Sequence, residues 1–208
     1  MRFPALATLA LLGLASTALA DPTVYGTGSE PFYFDTSGAT PDQRDAIERN
    51  STQKYFGAVY IEPGGTAWGS YTGANTLYDA AALARMICLS HAQSDTCVPA
   101  LFVAPPELGT GSPPRDSLGH GAAQKYRTYQ GRNDGWRAFA VSGNHAFGWA
   151  TRKETAAQAV ESALTYCHQS SLKSLLDLPQ RVREEARLSG HYDCRIADLD
   201  PPAALDPS

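Results

Sequence analysis

The chain has 208 residues, 43% of them hydrophobic and 18% charged, with 17 Lys and Arg against 21 Asp and Glu for a formal charge of −4. That balance belongs to a folded globule long enough to bury a sizeable core, and excludes a disordered tail or a coiled coil. Its slight acidity supplies no general field for nucleic acid or an anionic membrane, so neither is an expected partner.

After Arg2 no charge occurs until Asp21, and the intervening stretch is rich in Leu and Ala and ends in Ala18-Leu19-Ala20. A basic start, an apolar run and a small-x-small ending read as a secretory signal peptide over residues 1–20, cleaved before Asp21. The expected location is therefore periplasmic or secreted. No later apolar run approaches the roughly 20 residues that span a bilayer, so no membrane span is expected after cleavage. The even set Cys88, Cys97, Cys167 and Cys194 fits an oxidising compartment, although spacing alone leaves three pairings open.

Residues 21–54 read as a polar N-terminal extension. Within it Thr40-Pro41-Asp42-Gln43 combines a capping threonine, a first-turn proline and a glutamine three residues on, which predicts a short helix to about Arg49. From Tyr55 the pattern changes. Residues 56–61 read as a strand, Glu62-Pro63-Gly64-Gly65 as a turn and residues 66–71 as the returning strand. A helix is predicted over 76–88, where Leu77, Ala80, Ala81, Ala84 and Ile87 share a face, and residues 97–103 read as a third strand.

The order then returns. Residues 136–141 read as a strand, Ser142-Gly143-Asn144 as a turn and residues 145–149 as the second strand. Thr151 and Glu154 suggest a capping box for a helix to Cys167, with Ala156, Ala159, Val160 and Ala163 on one face. Gly69 precedes Cys88 by the same interval that separates Gly148 from Cys167, and Ala67-Trp68-Gly69 matches Ala146-Phe147-Gly148. This points to an internal duplication, and hence to an α+β fold of two β-β-α-β repeats in one pseudo-twofold domain of mainly antiparallel sheet, with helices on one side. The first repeat spans 55–103 and the second 136–198, with an insertion between Cys167 and Cys194 that suggests extra helix broken at Pro179. Residues 104–135 read as a Pro/Gly-rich linker and 199–208 as a disordered tail. The repeat selects Cys88 with Cys97 and Cys167 with Cys194, loops that would contribute about 2.7 and 3.6 kcal/mol by chain entropy.

Gly57-Ala58-Val59-Tyr60, Thr66-Ala67-Trp68-Gly69, the Ala-rich helix ending in Cys88 and the following Cys97-Val98 resemble the secreted bacterial domains called domain of unknown function 4189. The resemblance covers about residues 55–103 and, more loosely, 136–198. It implies a hairpin, an Ala-rich helix and a Cys pair, often repeated, and brings no established activity with it.

Chemistry in the sequence is sparse. Cys88-x-x-His91 with Cys97, and Cys167-His168 with His191-x-x-Cys194, have spacings zinc tolerates, but disulfides are the simpler reading in an exported chain and leave no thiolate nucleophile. No Gly-x-Ser-x-Gly elbow accompanies Ser70, Ser112 or Ser142, and no two carboxylates are spaced across one bond. No metal or cofactor is expected. Strand alternation puts Trp68 on one face, and His145, Phe147 and Trp149 on the matching face of the second hairpin, opposite Ala67, Gly69, Ala146 and Gly148. The small face is expected to take the helices. The aromatic face is either a second core layer or an open site for a glycan or a partner's side chains. The leading expectation is an exported binding or interaction module of the cell envelope, its partner an envelope glycan or a protein. The alternative is an envelope hydrolase with its site in the 105–121 loop around Asp116 and His120.

Overall fold

The computed structural model describes residues 21–109, 114 and 116–203; the predicted signal peptide, Ser112 and residues 204–208 lie outside them. The fold is mixed α+β with two antiparallel sheets. The first contains β1 (Glu30–Tyr33), β2 (Gly57–Ile61), β3 (Trp68–Thr72) and β4 (Val98–Ala104) in the order β1-β4-β2-β3. The second contains β5 (Trp136–Val141), β6 (Phe147–Lys153) and β7 (Arg195–Asp200) in the order β6-β5-β7.

Among the described residues five α-helices accompany the sheets: α1 (Pro41–Ser51), α2 (Leu77–His91), α3 (His120–Gln130), α4 (Ala156–Leu176) and α5 (Gln180–Leu188). In α1 the Thr40 side chain accepts from Gln43 N and the Gln43 side chain accepts from Thr40 N, completing the predicted capping box. Thr76 and Thr155 cap α2 and α4 at matching positions. The Thr151–Glu154 box does not form, because β6 continues to Lys153 and pairs it with Trp136.

Both hairpins follow one plan. Ile61 pairs with Trp68 and Val141 with Phe147, and each inner strand pairs on its other side with the strand that follows the helix. The register slips at matching places, between Val59 and Tyr60 in β2 and between Phe139 and Ala140 in β5.

The predicted Ala/Gly face receives the helices. A Cβ on Gly69 would stand 2.3 Å from Ala84 O and Cys88 N of α2, and one on Gly148 would stand 2.3 Å from Ala163 O and Cys167 N of α4. Only a glycine lets strand and helix backbones meet this closely. Each helix then ends its contact with a cysteine, and the disulfides Cys88–Cys97 and Cys167–Cys194 tie it to the strand that follows.

Helices also cover the opposite faces, which corrects the expectation of helices on one side. Ile47 of α1 joins Val59, Ile61, Leu101 and Val103 in one core, with Trp68 packed against it. Ala122, Ala123, Tyr126 and Tyr129 of α3 join Phe139 and Val141 in another, with Phe147 and Trp149 packed against it. Helix α3 falls in the stretch read as linker: its Ala122, Tyr126 and Tyr129 recur at helical spacing, but the preceding glycines and prolines dominate the composition. Strand β1 lies in the extension, and β7 includes Leu199 and Asp200, placed by sequence at the start of the tail. The insertion extends α4, breaks at Pro179 and continues as α5, whose Val182 and Ala186 pack with Leu83 and Met86 of α2. That packing joins the first unit to the second.

A candidate binding cleft between the two units

Asn75 lies between β3 and α2, and its side chain is the main polar tie between the units. Its Nδ2 donates to Ser142 O at 2.8 Å, Asn144 O at 3.0 Å and Ala146 O at 3.2 Å, while its Oδ1 accepts from Gly119 N at 2.9 Å. The start of α2 is thereby held against the turn of the second hairpin. One turn of helix further on, Asp79 Oδ1 accepts from His191 Nδ1 at 2.6 Å and Asp79 Oδ2 accepts from Thr76 Oγ1 at 2.5 Å.

The Asp79 and His191 side chains are 14% and 10% exposed, so bulk water screens their contact only weakly. An ionised Asp79 can only accept, so His191 Nδ1 is the donor in this contact. Nε2 makes no hydrogen bond among the described residues, and the Tyr78 ring stands 5.7 Å from the imidazole. Beside the pair is a cleft of about 270 Å³ lined in part by Asn75, Thr76, Asp79, Ser142, Asp193 and Arg195. Asp193 and Arg195 put opposite charges on its exposed rim.

Two further histidines cross the same seam. His145 Nδ1 lies 3.2 Å from the Tyr71 hydroxyl, which is 3.3 Å from Ser174 Oγ, and the His145 and Tyr71 rings stack at 6.2 Å. His91 Nδ1 lies 2.9 Å from Arg181 Nη2. His145 is exposed at the hairpin tip, and local desolvation of its imidazole holds it below its usual range, outweighing the opposite influence of Asp177. Tyr192, buried beneath Tyr71, has its hydroxyl pushed well above the ordinary tyrosine range, chiefly by desolvation.

The residues singled out by sequence separate in space. Trp68 belongs to the first sheet and packs toward α1, Phe147 and Trp149 belong to the second and pack toward α3, and the rings form no common strip. Phe147 lies parallel to Phe139 at 6.0 Å. His145 leaves its predicted companions and stacks on Tyr71 at the hairpin tip. All four cysteines are disulfide-bonded, which removes the thiolates that the zinc reading required.

No hydrogen bond or ion pair joins Asp116 to His120 among the described residues. The Asp116 carbonyl accepts from Thr23 N at 3.1 Å. His120 opens α3 at 9% exposure, edge-on to Tyr55, with its Nδ1 buried and without a hydrogen-bond partner among the described residues. Burial first, then the Lys54 and Arg127 charges, hold this imidazole below its usual range. Ser142 donates its hydroxyl to Asn144 Oδ1 and so secures the turn.

Sequence reasoning missed the Asp79–His191 pair. Thr76-x-x-Asp79 reads as an ordinary helix start, His191 drew notice only as a neighbour of Cys194, and 112 residues separate the two partners. It also missed the buried Asp198, whose carboxylate accepts from the Tyr126 hydroxyl at 2.7 Å and whose pKa burial raises. Set against known proteins, the chain matches no family model, no curated protein and no solved structure.

Proposed function

We propose that this chain is an exported, disulfide-stabilised binding module of the cell envelope that takes its ligand in the cleft between the two units. One observation carries the reading: the start of α2, the turn of the second hairpin and the loop before β7 converge on a cleft of about 270 Å³ beside a buried Asp79–His191 pair. Segments distant in the chain supply fixed polar groups there, which is how a preformed small-molecule site is built. The two disulfides support export, since such bonds persist in oxidising compartments. N-terminal sequencing of the exported protein should then begin at Asp21.

The relationship to the secreted domains that the sequence resembles is part of the same proposal. A hydrolase centred on the 105–121 loop has less support, because no hydrogen bond or ion pair joins Asp116 to His120 among the described residues. The ligand class proposed is a polar fragment of an envelope glycan.

The test is fluorescence anisotropy with labelled disaccharide-peptide fragments from a cell-wall digest. Asp193→Lys reverses a charge on the exposed rim and should abolish binding with little change in the melting curve. Binding that survives Asp193→Lys, or no binding by the unaltered chain, would remove this reading.

A further inference from the structure

We propose that the Cys167–Cys194 disulfide is a thiol-exchange site, where a small thiol enters through the cleft, attaches to Cys194 and closes the cleft to any other occupant. The inference concerns covalent modification and stands whether or not a glycan binds.

The two disulfides hold matching places in the two units, but their surroundings differ. Cys88 and Cys97 are both buried, so the first bond is enclosed at each end. In the second bond Cys167 is fully buried against Ala138, Ala140 and Ala163, whereas Cys194 is half-buried and lines the cleft. One end of this bond thus faces the cleft and the other faces the core.

Exchange begins when a thiolate attacks one sulfur of a disulfide and displaces the other, at a rate set partly by which sulfur can be reached. Here the reachable sulfur is that of Cys194. The thiol R–SH gives up its proton, its sulfur bonds to Cys194 Sγ, and the Cys167–Cys194 bond breaks. The electron pair of that bond goes to Cys167 Sγ, which takes up the proton. The products are a mixed disulfide, R–S–S–Cys194, and a Cys167 thiol. A second R–SH attacking the R sulfur releases Cys194 as a thiol and leaves R–S–S–R, so two thiols supply the two electrons of full reduction.

The loop stays docked when the bond opens. Before Cys194, His191 O accepts from Asn144 N at 2.8 Å, Tyr192 O accepts from Ser171 Oγ at 2.7 Å and His191 Nδ1 donates to Asp79 Oδ1 at 2.6 Å. After it, Arg195 pairs with Val141 in the sheet. None of these contacts uses a sulfur, so opening the bond frees one side chain and keeps the wall of the cleft. The adduct then sits in a space of about 270 Å³.

The test is a time course of the folded chain with reduced glutathione, each sample then quenched and unfolded in N-ethylmaleimide and mapped by mass spectrometry without reductant. Glutathione should appear on Cys194 and maleimide on Cys167, while Cys88–Cys97 remains intact. Opening of the first bond should be at least about tenfold slower, because a buried sulfur waits for a local opening of the fold. Cys167→Ser and Cys194→Ser lose the same bond but leave different thiols. A coloured aromatic disulfide should react with Cys194 in the first variant roughly tenfold faster than with Cys167 in the second. Should the variants fold poorly, the time course on the unaltered chain decides alone. Adducts on Cys167, equal or faster opening of Cys88–Cys97, or no reaction short of unfolding would overturn the proposal. None of those results touches the binding reading, which is tested on the oxidised chain.

Discussion

Gln43 and Asn75 hold corresponding carbonyls on the two hairpins. Gln43 Nε2 donates to Glu62 O at 3.2 Å and Ala67 O at 2.9 Å, and Asn75 Nδ2 donates to Ser142 O at 2.8 Å and Ala146 O at 3.2 Å. Glu62 and Ser142 each follow the last residue of an inner strand, and Ala67 and Ala146 each precede the first of a returning strand. A buried carboxamide, from the first turn of α1 in one case and from just before α2 in the other, thus closes each turn. Glu154, one residue before the Thr155 cap as Asn75 is before Thr76, stays exposed, so the tie that Asn75 makes across the seam is not returned.

Gln43→Ala and Asn75→Ala should each destabilise the chain by about 2 to 4 kcal/mol, the range for leaving several buried acceptors short of a donor. Asn75→Ala should be the worse, since Gly119 N also loses its acceptor. Urea unfolding measures both. Losses under about 1 kcal/mol would mean that apolar packing, not these carboxamides, holds the turns.

Gly69→Ala and Gly148→Ala should each cost at least 1 to 3 kcal/mol, because the added methyl meets helix backbone that has no room to yield. Gly121→Ala is the control: nothing stands within 4 Å of its Cβ position, and it lies in the first turn of α3. Exchange of glycine for alanine there should leave stability equal or raise it by up to about 1 kcal/mol. Thermal melts of the three variants should separate them clearly.

Asp198→Asn should be as stable as the parent or more stable at neutral pH. Burial raises the Asp198 pKa, so the folded chain binds this proton more tightly than the unfolded chain. Its contribution is greatest at low pH and declines as pH rises through the raised value. Asparagine keeps an acceptor for Tyr126 and removes the buried charge. The difference in melting temperature should shrink toward about pH 4, where the aspartate of the unfolded chain also takes up its proton. A variant less stable at pH 7 would show that the charge itself is needed.

Peptide mapping without reductant should join Cys88 to Cys97 and Cys167 to Cys194. Removing the second bond should cost more than removing the first, by about 1 kcal/mol, because it closes the longer loop. Paired Cys→Ala variants compared by urea unfolding provide the measurement, and the reverse order would place the main effect in the native state.

The two hairpins and the helices packed on them were legible because their signals are local: two Ala-x-Gly strands, two glycines facing helices, two cysteines at equal intervals. The capping box of α1 was legible for the same reason. The aromatic faces were assigned correctly by alternation, but alternation says nothing of what lies above a strand. Trp68 and Trp149 share the hairpin pattern, yet α1 and α3 come from segments whose turn-rich composition hid their part in the core. The candidate site was the least legible, because Asp79 and His191 meet only after two units dock. No short-range pattern marks such a meeting.

The binding account is tested most directly by an amide NMR titration of the chain from Asp21 onward with disaccharide-peptide fragments from a cell-wall digest. It predicts saturable shifts at Asn75, Asp79, Gly143 and Asp193, around the cleft, with the indole signals of Trp68 and Trp149 unmoved. Shifts centred on those indoles, or a spectrum that does not change, would contradict it.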